Sequence, residues 1–200
     1  MSEVVNRKTI IRPAKMNVFL FVAWTIKELS CDAQTKHGCV ITSRRNRILG
    51  TGYNSFPREC DNESLPNLRP TTPKQEKDPL GNKYPLIIHS EINAVNNCIH
   101  SPIEHEDGCI AYVTGQCCFN CFLHLWQNGV NEVYEIDRGS HMLKDGHDEK
   151  LKELLCSKVS MTRHVIKPDF GFMNVPLGDA HASGFFHTEL EDFKDLINVG

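Results

Sequence analysis

The chain has 200 residues, 40% of them hydrophobic, which is enough for one globular domain with a sizeable core. Its formal net charge of -3 argues against a domain built to track a phosphate backbone, since such domains are distinctly basic. The longest apolar run, residues 18–24, is too short to span a bilayer, and Arg7, Lys8, Arg12 and Lys15 precede no uninterrupted apolar region ending in a small-residue cleavage site. A cytoplasmic location is expected.

Met16, Phe19, Leu20, Ala23, Trp24, Lys27 and Leu29 follow helical spacing, so residues 14–29 form an amphipathic opening helix. Cys39-Val40-Ile41 and Ile48-Leu49 are short apolar runs joined by Ser43-Arg44-Arg45-Asn46, the pattern of a hairpin. The second run ends in Gly50-Thr51-Gly52-Tyr53-Asn54, where glycines let another group approach the backbone closely. Residues 55–84 are rich in Pro, Asn, Asp and Lys and show no periodicity, which predicts a functional loop bridging two segments that carry site residues.

Residues 90–99 read as a helix capped by His89 or Ser90, with Ile92, Val95 and Ile99 along one face. Ile110 to Val113 predicts a buried strand, Phe119 to Gln127 a helix closed by Gly129, Val133 to Ile136 a strand, and Asp148 to Leu155 a helix. Strands alternating with helices point to an α/β sandwich. After Lys167, Gly171, Pro176, Gly178 and Gly184 break the pattern.

Nine cysteines are an odd number in a long chain, which does not suit a disulfide framework. Cys39, Cys98, Cys109 and Cys156 lie in apolar stretches and are expected to be small buried hydrophobes. Cys118-Phe119-Asn120-Cys121 is different, because His89-Ser90-Glu91 stands upstream of it. One imidazole and two thiolates supply three zinc ligands and leave a coordination place open, where water is activated as a nucleophile. Glu91, two residues beyond the histidine, is placed to carry that water's protons without binding the metal. H-x-E followed by P-C-x-x-C is the signature of zinc-dependent nucleobase deaminases. In this chain Cys117 stands where the signature has proline. A fourth ligand at Cys117 would close the site as a structural one. Adjacent residues rarely both reach one metal, which favours Cys118 with Cys121, and leaves Cys117 with Cys121 as the alternative pair.

Further motifs surround this pair. Arg47-Ile48-Leu49-Gly50-Thr51-Gly52-Tyr53-Asn54-Ser55-Phe56-Pro57 is similar to a strand ending in G-Y-N-G-x-P, and Lys83-Tyr84-Pro85 precedes His89-Ser90-Glu91-Ile92-Asn93-Ala94, similar to H-A-E-x-N-A-I. Together these resemble the deoxycytidylate (dCMP) deaminases of the cytidine deaminase superfamily. The resemblance runs from the opening helix to about residue 165. It implies a three-layer α/β/α sandwich with a central mixed sheet, a deaminase domain over residues 1–167, and an extension of that domain over residues 168–200. Its implied activity is zinc-dependent hydrolysis of a deoxycytidine nucleotide, dCMP to dUMP and ammonia. His89, Cys118 and Cys121 would hold Zn2+, Glu91 would be the catalytic proton carrier, and Asn54 would contact the sugar. The resemblance also implies a homo-oligomer, up to a hexamer, with dCTP plus Mg2+ and dTTP as effectors, while the charge balance and the short apolar run predict no nucleic-acid or membrane partner.

Two departures keep other readings open. Besides Cys117, Gly139 falls where the family has an aromatic residue near the pyrimidine, which would admit a base substituted at C5; the bland alternative is a surface turn, with the ring supplied by Tyr134, Phe185 or Phe186. Deamination of a nucleic acid would need a basic groove or stacking platform, for which the acidic balance gives little support. A catalytically silent nucleotide-binding regulator of the same fold would be expected to lack Glu91, which is present.

Overall fold

The computed structural model describes residues 14–32, 34–60, 65–66, 68–78, 81–99, 106–137 and 146–171. Gly139, Phe185, Phe186 and nearly all of the extension after residue 167 therefore lie outside the described residues. The elements are α1 (Lys15–Ile26), β1 (Gly38–Ser43), β2 (Ile48–Tyr53), α2 (Pro73–Lys77), α3 (Ser90–Asn96), β3 (Cys109–Val113), α4 (Phe119–Gln127), β4 (Val130–Ile136), α5 (His147–Lys158) and β5 (Thr162–Ile166). The strands form one mixed sheet in the order β2-β1-β3-β4-β5. β1 runs antiparallel to both β2 and β3, whereas β3, β4 and β5 are parallel.

Period-two alternation divides the sheet's side chains between two cores. On one face Cys39, Ile41, Ala111, Val113 and Val133 pack with Ala94 of α3 and with Phe122 and Leu125 of α4. On the other, Tyr112 and Ile136 pack with Leu20 of α1 and with Phe170. The result is the expected three layers, α/β/α around a mixed sheet. Among the described residues no helix is long and apolar enough to cross a membrane.

Where the elements differ from the sequence expectation, the reasons are local. The opening helix tightens into a 3-10 turn at Lys27–Leu29, which leaves Leu29 63% exposed. α3 stops at Asn96, so Ile99 leaves the apolar face and is 81% exposed, while Ser90, Glu91 and Ala94 are the buried positions. The long loop contains α2, capped by the Thr72 hydroxyl accepting from the Gln75 N–H, with Pro73 opening the helix. β5 has no apolar alternation because Arg163 and His164 on it pair with Glu135 and Glu132 of β4.

Two devices set the position of α3. Ser55 and Ile88 exchange backbone hydrogen bonds of 3.1 and 2.8 Å, which closes the long loop one residue before His89. The Asn93 amide donates to the Tyr53 carbonyl and the Ser55 hydroxyl, tying α3 to the end of β2. The helix lies directly on the strand backbone. A Cβ on Gly52 would stand 2.3 Å from both Ala94 N and Ser90 O, and one on Gly50 would stand 2.4 Å from Ala94 O. Gly52→Ala is therefore expected to lower stability by roughly 1–3 kcal/mol through overpacking, read from the urea unfolding midpoint. An unchanged midpoint would mean that α3 can move off the sheet at no cost.

Candidate metal centre and substrate cavity

Residues 89–91 and 117–121 arrive at one place because both helix starts face each other across the same side of the sheet. His89 is the residue preceding α3, in extended conformation, and Cys118 holds the same place before α4. His89 Nδ1 lies 3.5 Å from Cys118 Sγ and 3.3 Å from Cys121 Sγ. Tetrahedral zinc with ordinary Zn–S and Zn–N bonds places such ligand atoms about 3.5 Å apart, so this donor set fits a zinc ion. Among the described residues this is the one group of three or more His, Cys, Asp or Glu side chains gathered closely enough to hold a metal.

The protonation of the group suits metal binding. Hydrogen bonds from Cys121 and His89 outweigh burial and bring the Cys118 thiol down to about 4. His89 is raised in turn, first by its hydrogen bond to Cys118 and then by the nearby Glu91 carboxylate, against the effect of burial. Cys121 is held protonated, chiefly because its thiol donates to Cys118 and because it is buried. A metal would take the place of those shared protons, since its ligands are thiolate and neutral imidazole.

Cys117 is excluded from the cluster and turned into the protein. It is buried, and burial together with the Glu91 and Glu135 carboxylates pushes its thiol well up. Glu91 itself is 5% exposed and accepts from the Ser90 hydroxyl at 2.8 Å.

His89, Glu91 and Cys118 share the wall of a cavity of ≈ 350 Å³. Asn54 is on the same wall, buried, with its side chain engaged on both sides. Its Oδ1 accepts the His37 N–H at 2.7 Å, and its two N–H groups donate to Asp32 Oδ2 at 3.2 Å and to the Thr35 carbonyl at 2.9 Å. One acceptor lone pair remains for a ligand hydroxyl. Asp32 is ion-paired with the buried Lys83, and both line the cavity. Burial works to raise the Asp32 carboxyl, but the Lys83 ammonium and the Gln34 and Thr35 N–H groups together hold it below the usual range. The sequence assigns no site role to the cavity residues Asp32, Arg69, Lys83 and Gln116, although Lys83 stands in the Lys83-Tyr84-Pro85 motif. Gln116 Oε1 is buried with no hydrogen-bond partner among the described residues, which fits an atom awaiting a ligand donor.

Residues 15–136 match the cytidine and deoxycytidylate deaminase zinc-binding region. Human deoxycytidylate deaminase is 32% identical over 162 residues, which are 81% of this chain and 85% of that protein. The chain belongs to the cytidine and deoxycytidylate deaminase family. The deoxycytidylate deaminase of Pongo abelii is 32% identical over 133 residues, 66% of this chain and 70% of that protein. Among solved structures, the dCMP deaminase of the cyanophage S-TIM5 in complex with dCMP and dUMP shares the fold, with a TM-score of 0.56 at 19% identity over 78% of this chain and 99% of that one.

The separation of Cys117 from its neighbours gives a direct check on metal ligation. Metal analysis of the purified protein is expected to find zinc, with Cys118→Ala losing it and Cys117→Ala keeping it. The reverse pattern would transfer ligation to Cys117.

Proposed function

We propose that this chain is a zinc-dependent deaminase that hydrolyses dCMP to dUMP and ammonia, with His89, Cys118 and Cys121 as the zinc ligands. The observation that carries the reading is the shared cavity wall: His89 and Cys118 of the zinc-fitting donor set and the buried Glu91 carboxylate line one space large enough for a small molecule. Zinc held there supplies Lewis acidity and a water-derived nucleophile near neutral pH. The family match and the deoxycytidylate deaminase relatives support the choice of substrate.

In this chemistry the C4–N bond of cytosine breaks and a C4–O bond forms. One proton of the attacking water ends on ring N3 and the other on the departing ammonia. Glu91 moves both, which is general acid–base catalysis by a residue held in place by the Ser90 hydroxyl. Asn54 Oδ1 accepts from a sugar hydroxyl, and Gln116 Oε1 accepts from the exocyclic amine of the base. Arg69, on the cavity wall with its guanidinium on the Thr35 hydroxyl, takes the 5′-phosphate. The same reading includes a homo-oligomer, up to a hexamer, working in the cytoplasm under dCTP–Mg2+ and dTTP control, with residues 168–200 an extension of the one domain.

Glu91→Gln is expected to keep its zinc and its thermal midpoint while losing about 10²–10⁴-fold in kcat, the usual worth of general acid–base catalysis. A fully active Glu91→Gln protein would remove Glu91 from the mechanism. For the phosphate, Arg69→Ala is expected to lower kcat/KM on dCMP by about 10- to 100-fold, as a hydrogen bond to a charged group is worth roughly 1.5–3 kcal/mol. Its effect on deoxycytidine, which has no phosphate, should be small. Equal losses on both substrates would place the phosphate elsewhere.

A further inference from the structure

Behind the zinc-ligand turn lies a cluster of charged side chains that the reaction does not use. Glu135 near the end of β4 and Lys152 in α5 are both 0% exposed. Glu135 Oε1 accepts the Cys117 N–H at 3.0 Å, and Lys152 Nζ donates to the Cys117 carbonyl at 2.9 Å. Both polar groups of the residue before Cys118 are thus held by fully buried charges. On the other side of Cys118, the Phe119 N–H donates to Asp148 Oδ2 at 3.0 Å.

The cluster is closed by ion pairs. Arg163 of β5 donates to Glu135 Oε2 through Nε at 2.8 Å and Nη2 at 2.6 Å, and its Nη1 lies 2.6 Å from Glu149 Oε2. Lys152 pairs with Glu149 at 2.6 Å and lies 3.7 Å from Glu135. Burying such groups costs several kcal/mol per ion, and well-packed apolar residues of similar volume are often as stable or more so. Stability alone is therefore a weak reason for charges here. Their position is a better one. At this place the family signature has proline, whose ring fixes φ and which has no N–H. Cys117 leaves φ free and presents an N–H, and Glu135 takes that N–H.

The geometry points to Glu135 and Lys152, braced by Arg163 and Glu149, as positioning residues that lock the Cys117 peptide in place of the signature proline, so that Cys118 is presented to zinc. This rests on Cys118 being a zinc ligand. If the parent protein holds no zinc, or Cys118→Ala keeps it, that reading fails before the lock is tested.

The test compares zinc affinity, by chelator competition, with the visible spectrum of the Co2+-substituted protein and the thermal midpoint of the metal-free protein. In Lys152→Met the zinc dissociation constant is expected to rise about 10- to 100-fold, the usual effect of losing a partner that orients a metal ligand. The cobalt–thiolate bands should shift, and the affinity loss should exceed what the accompanying fall in the metal-free midpoint accounts for, since removing one partner of a buried ion pair itself destabilises. Adding Cys117→Pro should shrink that affinity loss, because proline then does the locking. Unchanged affinity and bands in Lys152→Met would overturn the proposal. So would an affinity loss that matches a fall in the metal-free midpoint, or an equal loss with proline at position 117. Should Lys152→Met be recovered unfolded, Cys117→Pro alone decides. It has to fold and bind zinc as tightly as the parent, and failure in either respect overturns the lock.

Discussion

Helix α3 rests on β2 with only backbone between them at Gly50 and Gly52, and the rest of the site takes its position from that contact. An ordinary helix on a sheet stands off by the thickness of its side chains. Here the helix axis is drawn in until Ala94 and Ser90 touch the strand, and the Asn93 amide bonds to the strand's last carbonyl. His89 and Glu91 are at the start of this helix, so a shift of the helix would move both at once. α4 reaches the same point from the parallel half of the sheet, through Phe122 and Leu125 packed into the same core. The zinc-fitting cluster is the meeting point of two helix starts, each held by its helix's packing on the sheet.

The chain assigns three neighbouring cysteines three different duties by environment alone. Cys118, beside an imidazole and a donating thiol, has its thiol brought down; Cys121 keeps the shared proton; Cys117, one residue away, is buried against two carboxylates and stays neutral. Proline could not make the N–H bond to Glu135. The departure from the signature therefore comes with its own set of partners, drawn from β4, α5 and β5.

What could be seen in the sequence was whatever repeats. The β1–β2 hairpin, α3, β3, α4 and the His-x-Glu with Cys-x-x-Cys spacing all declare themselves through periodicity or fixed offsets. β5 was not legible, since Arg163 and His164 are polar residues whose burden is pairing with β4, and a strand of that composition has no apolar alternation. Glu135 and Lys152 look like solvated positions, one in a strand with Glu132, the other in a helix full of Lys and Glu, yet both are fully buried because tertiary packing brings counter-charges to them, Arg163 of β5 to Glu135, and Glu135 to Lys152 beside Glu149 of its own helix. Asp32 and Lys83 are 51 positions apart and were invisible for the same reason. α2 did leave a mark, the Thr72-Pro73 start with Gln75 at the third helical place, inside a segment whose composition suggested only a loop.

The proposed reaction is zinc-dependent attack of water at C4 of dCMP in this cavity. Turnover in ¹⁸O-labelled water tests it most directly, with ammonia and dUMP quantified before and after chelation and after zinc is restored. One ammonia and one ¹⁸O in the base are expected for each dCMP consumed, with activity lost on chelation and regained with zinc. Zinc-replete, folded protein that leaves dCMP unchanged, or that turns it over equally well without metal, would contradict it.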